Sequence, residues 1–277
     1  MIYPSRKKLL RLLFLLIACA LAPALFLLRG SSSDLAVSGS GGAGIIEKSR
    51  YVFAWNGISA AVAEFTLTRS MVEGHPALHF TGRARTTEGI DLFWRMRTSV
   101  LALIDGATLA PRRFQLFRRE NEKSIDVDVV HDIEEQKFRI SRKKGDRLKK
   151  GSLPSSGVYD PVSAMLVLRR KPLTPGDVEI IRVIEGKRIY EITLKSLARE
   201  RILLGEKSIP AIKLAMTYRS EDRRRSSEVD GIRYTHLWVG ETAAHPILRL
   251  EAQAFLGLIS GERVSANDPD FPSMESF

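Results

Sequence analysis

Lys143, Lys144, Arg147, Lys149 and Lys150 crowd one short stretch around Gly145 and Gly151. That density of cations suits contact with anionic lipid, lipopolysaccharide or another polyanion. It equally suits a solvated hairpin tip, because no aromatic side chain is interleaved to stack a base or sugar, so no nucleic-acid partner is expected. Arg223-Arg224-Arg225 lies in a second polar run and reads as a long loop. The histidines are His75, His79, His131, His236 and His245. His75 and His79 would share a helix face, but in a strand they stand roughly 13 Å apart at ~3.3 Å per residue, too far to ligate one metal. No metal is expected. Ser59 and Ser163 are the conceivable nucleophiles, yet neither sits in a Gly-x-Ser-x-Gly elbow or has a spaced His and Asp partner. With no G-x-G-x-x-G and no Walker lysine, no cofactor and no catalytic residue is expected.

Trp55, Phe65, Trp94 and Trp238 fall in apolar, strand-like runs. They read either as ordinary core or as the lining of a barrel that accepts an acyl chain or another apolar ligand. Asp160 and Arg169 could make a functional polar pair. A capping aspartate and an arginine matched to a helix dipole explain them more simply.

The elements that must position these residues are mostly strands. Tyr51–Trp55 and Ile58–Thr68 flank Asn56-Gly57, the strongest short hairpin signal. Further strands are expected at Ala77–Arg85, Phe93–Leu103, Arg113–Arg118, Ile125–Val130 and Lys137–Arg142. A second series follows at Glu179–Val183, Arg188–Lys195, Ala211–Arg219, Tyr234–Val239 and Ile247–Phe255. One segment differs. Asp160-Pro161 opens a short helix through Arg170, with Asp160 as N-cap, Pro161 at the first helical position and Pro172 as the stop. The expected fold is mainly β, an antiparallel meander forming a barrel or half-barrel with one short packed helix, preceded by an N-terminal membrane segment.

The chain has 277 residues and a formal net charge of +11. Its single cysteine, Cys19, lies in the N-terminal apolar stretch, so a disulfide framework and thiolate chemistry are excluded from the rest. Arg6, Lys7, Lys8 and Arg11 precede the apolar run Leu12–Leu28, the pattern of an export signal or anchor with a cytoplasmic N-terminus. Residues 1–29 therefore read as signal or anchor, 30–44 as a Gly/Ser-rich tether, 45–265 as a β-rich domain and 266–277 as a tail. The expected place is the inner membrane, with the domain in the periplasm. Cleavage to a soluble periplasmic protein, or lipidation at Cys19 in a lipobox-like Leu16-Ile17-Ala18-Cys19, remain alternatives.

Three ordered stretches resemble the bacterial envelope family known as domain of unknown function 3108. They are Tyr51–Ile58, then Asp160-Pro161-Val162-Ser163 through Arg169 with Leu173–Asp177, and Leu237-Trp238-Val239 with His245-Pro246-Ile247. Ala60-Ala61 stands where that family typically carries a second small residue, often glycine, and Lys143–Ser156 reads as an inserted basic loop. The resemblance implies an exported β-rich protein with no assigned catalysis. The leading functional expectation is a non-enzymatic, membrane-tethered protein that binds a lipid, lipopolysaccharide or other amphipathic envelope component. A scaffold with an envelope protein partner and an envelope-polymer hydrolase or transferase are the alternatives.

Overall fold

The computed structural model describes residues 44–221, 232–242, 244–254, 257–266, 268 and 271–274. The leader, nearly all of the tether, Arg223–Arg225 and much of the tail lie outside these residues. Among the described residues no helix is long and apolar enough to cross a membrane.

From Gly44 onward the chain alternates apolar and polar side chains, which commits successive residues to opposite faces of a sheet. The first meander comprises β1 (Gly44–Trp55), β2 (Ile58–Val72) and β3 (His75–Thr86), then the single-turn helix α1 (Glu88–Asp91). It continues through β4 (Met96–Asp105), β5 (Pro111–Glu120), β6 (Lys123–Asp132), β7 (Lys137–Lys144) and β8 (Arg147–Pro154). The two-residue β9 (Val158–Tyr159) leads into helix α2 (Pro161–Arg169). The second meander is β10 (Val178–Glu185), β11 (Arg188–Leu204), β12 (Lys207–Ser220), β13 (Ile232–Gly240), β14 (Ile247–Ala254) and β15 (Gly257–Val264).

All fifteen strands form one sheet, in the order β8-β7-β6-β5-β4-β3-β2-β1-β15-β14-β13-β12-β11-β10-β9. Among the described strands only β9 and β10 pair in parallel. The two edges, β8 and β9, are consecutive in the chain, and the curl of the sheet brings them face to face. Lys187 Nζ donates to Lys150 O at 3.0 Å and Arg182 Nη1 donates to Ser156 O at 2.9 Å across this seam. The result is a nearly closed barrel.

Two devices make the curl possible. Asn56 and Gly57 both take positive φ, 49° and 82°, the two-residue turn whose twist matches its strands. Glycines 82 and 261 face Phe65 and Phe53 as cross-strand partners, and a Cβ at either would fall within 2.8 Å of the ring. The rings lie over bare backbone, so the sheet can bend inward there.

One side of the barrel is filled. Phe65 sits 5.6 Å from Tyr51 and 5.8 Å from Phe80, centroid to centroid, and Phe53, Leu67, Leu78 and Ile104 are fully buried around them. Helix α2 enters this interior and buries Val162, Ala164, Met165 and Leu166. Its N-cap is Asp160, which accepts from Val162 N at 2.8 Å and Ser163 N at 3.1 Å, as expected of an Asp-Pro start.

Several expectations need correction. Phe93 is not in a strand: α1 and a turn occupy residues 88–93, and β4 begins at Met96. Lys143–Ser156 is mostly the β7–β8 hairpin and not a loop. His75-Pro76, which the proline makes look like a turn in the sequence, instead opens β3, and the turn is Glu73-Gly74. Gly44, placed in the tether, is the first residue of β1. Strands β8, β9 and β15 and helix α1 were not foreseen.

Candidate functional site

The other side of the barrel is hollow. Between α2 and the wall built by β5–β7 and β10–β13 lies a cavity of about 490 Å³, within the range of small-molecule sites. Strand alternation sets its lining: Leu116 on β5, Val127 on β6, Ile181 on β10, Leu194 on β11 and Met216 on β12 all point inward. Met165 and Leu168 of α2 supply the facing surface. Most of the lining is aliphatic.

Toward the end carrying the β5–β6, β7–β8 and β10–β11 hairpins the lining turns polar, with Arg118, Arg142, Lys149, Glu185, Lys187, Arg188, Tyr190 and Tyr218. Lys149 is exposed and Arg142 partly so, and the cavity opens to solvent at this end. Arg118 is paired internally, its Nε 2.8 Å from Glu120 Oε1.

At the opposite end the cavity floor is Arg169, the last residue of α2. Its Nε donates to His245 O at 2.9 Å, its Nη2 donates to Ala244 O, and Nη2 stands 3.7 Å from Glu47 Oε2. His245 returns the contact by donating from Nδ1 to Arg169 O at 2.9 Å, which satisfies a carbonyl at the helix C-terminus. His245 adopts φ 40° to make this turn. Glu47 also faces Arg263, Nη2 to Oε1 at 3.2 Å, and Tyr51 Oη donates to Ile247 O at 2.8 Å. Burial pushes Glu47 above its usual carboxylate range despite both arginines, raises Tyr51 to about 12 and lowers Arg169 to about 10. Arg169 Nη1 has no hydrogen-bond partner among the described residues. The three sequence stretches singled out above thus meet in one knot: Tyr51, Arg169, and His245 with Ile247.

This corrects one reading of Arg169, which pairs with Glu47 and not with Asp160. It is the basic residue of the helix's last turn, as a dipole match requires, and its guanidinium also bonds the β13–β14 turn.

The aromatic residues proposed as lining do not line the cavity. Phe65 is in the filled half of the interior. Trp55 is partly exposed at the end of β1, and Trp94 is half-buried after α1. Trp238 faces outward, because its neighbours Leu237 and Val239 take the inward positions. It packs instead in a small separate cluster with Ile202, Ala211 and Leu248, and its Nε1 donates to Glu200 Oε1 at 2.5 Å.

The basic stretch divides by strand geometry. Arg147, Lys143 and Lys144 are exposed near the hairpin tip, Lys150 is an exposed edge residue, and Lys149 lines the cavity. Ser163 is fully buried and its hydroxyl donates to Asp160 Oδ2 at 2.5 Å. Ser59 is exposed on β2. A Ser–His contact not anticipated does occur: His131 Nε2 lies 3.0 Å from Ser155 Oγ and Nδ1 lies 3.0 Å from Pro111 O. The carbonyl can only accept, so Nδ1 carries a proton, and in the neutral ring Nε2 accepts from Ser155. Ser155 N is bonded to Gln136 O, so its own amide is not available as an oxyanion donor. His75 and His79 are exposed along β3, and among the described residues no group of three His, Cys, Asp or Glu could hold a metal.

A nearly closed antiparallel sheet, plugged by one helix and hollow on one side, defines a β-barrel-like protein. In fold it is similar to the crystal structure of a beta-barrel-like protein of domain of unknown function DUF1849 from Brucella abortus. That likeness has a TM-score of 0.53 at 10% identity and covers 79% of this chain and 95% of the other, which speaks for the fold alone. The model of the family described as protein of unknown function (DUF3108) matches residues 50–262, and the chain belongs to that family. No curated protein matches it.

Proposed function

We propose that the chain is a non-enzymatic binding protein that holds a lipid, or another apolar or amphipathic envelope component, in the hollow side of its barrel. One observation carries this reading. Side chains of the type that fill the rest of the interior here face about 490 Å³ of open space, enclosed by a wall and a capped helix. Apolar surface left facing a cavity loses both its packing contacts and its burial, a cost that an apolar guest removes. The basic flank and apolar run of Leu12–Leu28 support a membrane tether with the domain in the periplasm, which would place such a guest within reach.

The test is extraction of the purified full-length chain with organic solvent, followed by mass spectrometry of what is released. A stoichiometric acyl-containing species is expected from the wild type, and Met216→Trp, which places an indole in the cavity, is expected to release little. An empty wild-type cavity that also fails to take up a fluorescent fatty acid would sink the proposal.

A further inference from the structure

We propose that the cavity's guest carries an anionic head, seated between Arg142 and Lys149 on one edge of the sheet and Arg188 on the other. This rests on the cavity reading above and adds the headgroup chemistry and the orientation of the guest.

Four arginines on the outer face of this sheet are matched by acids, whereas Arg201 is bonded to Ser208 instead. Arg113 meets Asp128 at 2.9 Å, Arg119 meets Asp126 at 2.5 Å, Arg139 meets Asp132 at 2.6 Å and Arg219 meets Glu191 at 3.0 Å. Inside the cavity the pattern differs. Arg118 has Glu120 and Arg169 has Glu47. Arg142, Lys149 and Arg188 have no ion-pair partner among the described residues, and Glu185, which lines the same mouth as the cross-strand partner of Arg188, makes no ion pair with it.

Arg142 and Lys149 are also direct cross-strand partners in the β7–β8 hairpin, both on the cavity side. Like charges directly opposite destabilise a strand pair, and the hairpin's one carboxylate, Asp146 at its turn, makes no ion pair with either among the described residues. An anion between them turns the repulsion into two charge-assisted hydrogen bonds.

The register sets the direction of the guest. One cross-strand row reads Leu116, Val127, Arg142, Lys149, so the wall passes from aliphatic to cationic within four strands. A chain lying along Leu116 and Val127 delivers its head to Arg142 and Lys149. Lys187 reaches across the seam to Lys150 O at 3.0 Å, which brings its neighbour Arg188 to the same opening. A head bound there touches both edges of the sheet and closes the barrel. Carboxylate and phosphate heads share the required chemistry.

The experiment is isothermal titration of the full-length chain in amphipol with decanoate, decyl phosphate, 1-decanol and inorganic phosphate. Decanoate and decyl phosphate are expected to bind at least ten-fold more tightly than 1-decanol. In the double variant Arg142→Gln with Lys149→Gln that preference is expected to vanish while 1-decanol binding is unchanged. Lys149→Glu, which hands Arg142 an internal counter-ion, is expected to melt at or above the wild-type temperature and yet to lose the preference.

Equal wild-type affinity for 1-decanol and decanoate overturns the anionic head and leaves the cavity reading standing. Inorganic phosphate binding as tightly as decyl phosphate overturns the amphiphile in favour of a free anion. Failure of every decyl probe removes the cavity reading as well. A preference that survives in the folded Lys149→Glu variant places the head elsewhere.

Discussion

Arg169 and Glu47 face each other across the barrel interior, Nη2 to Oε2 at 3.7 Å, and tie the end of the plug helix to the first strand of the wall. Both side chains are almost wholly withdrawn from water, 5% and 8% exposed. At that depth the pair matters less for its attraction than for the charge either partner would leave behind.

Glu47→Gln leaves Arg169 facing one neutral group and one like charge, Arg263, in a dry setting. It is expected to cost about 3–5 kcal/mol, as loss of one partner of a buried pair does. Replacing Arg169 by Met in the same chain is expected to restore part of that loss, so the two changes are not additive. Urea denaturation of the single and double variants measures both effects, and simple additivity would contradict the pairing.

Asp160 holds the other end of the helix. Asp160→Ala removes the acceptor of Val162 N, Ser163 N and the Ser163 hydroxyl at a fully buried position. A loss of about 1–3 kcal/mol is expected, above that of an exposed cap. Asp160→Asn keeps one acceptor oxygen and should lose less. Thermal melts of the two variants rank them, and an alanine variant as stable as the asparagine would contradict the cap.

His236 gives the pH dependence a sign. Burial, and then the charge of Lys213, hold its pKa below the ordinary 6.5, outweighing Glu251 and Glu200. Between 6.5 and the lowered folded value the unfolded chain binds more protons, so the histidine's contribution is present at neutral pH and lost on acidification through that window. Calorimetry from pH 7.5 to 5 should show the wild type losing more stability than His236→Gln. Parallel profiles would rule the histidine out as the source.

The filled and hollow halves predict opposite outcomes for changes of size. Phe65→Ala opens a void among Tyr51, Phe80 and Gly82 and should cost about 3–5 kcal/mol while leaving ligand uptake intact. Met216→Trp enters open space, so it should cost less than the about 1–3 kcal/mol that over-packing a filled core costs, yet block uptake. Denaturation midpoints beside fatty-acid uptake separate the two.

Much of this architecture is legible in the residues alone. Tyr51 and Phe53 alternate with half-buried neighbours, Asn56-Gly57 marks its turn, and Asp160-Pro161 marks its helix, because each pattern has one dominant physical solution. Strand β8 is different. Arg147, Lys149 and Lys150 supply no apolar alternation, and only pairing with β7 makes them a strand. Trp238 misled because tryptophan usually goes inside, whereas Leu237 and Val239 set the phase of β13 and turn it out. The cavity left no trace at all: Leu116 and Met216 are the same kinds of residue as Leu67 and Met96, and only the third dimension shows which of them have neighbours.

The strand order also bears on how the chain comes together as it folds. The strands at the two edges come from mid-chain, whereas β1 and β15, at opposite ends of the described chain, hydrogen-bond to each other inside the sheet. Apart from β1, the first eight strands pair only with sequence neighbours and can assemble as soon as they are available, but β1 keeps a bare side until β15 arrives. Until then two hydrophobic half-sheets each offer an open edge to any other nascent strand, the circumstance in which aggregation competes with folding. The final pairing is the most non-local in the fold, and it makes the C-terminal strand the timing element of the whole barrel.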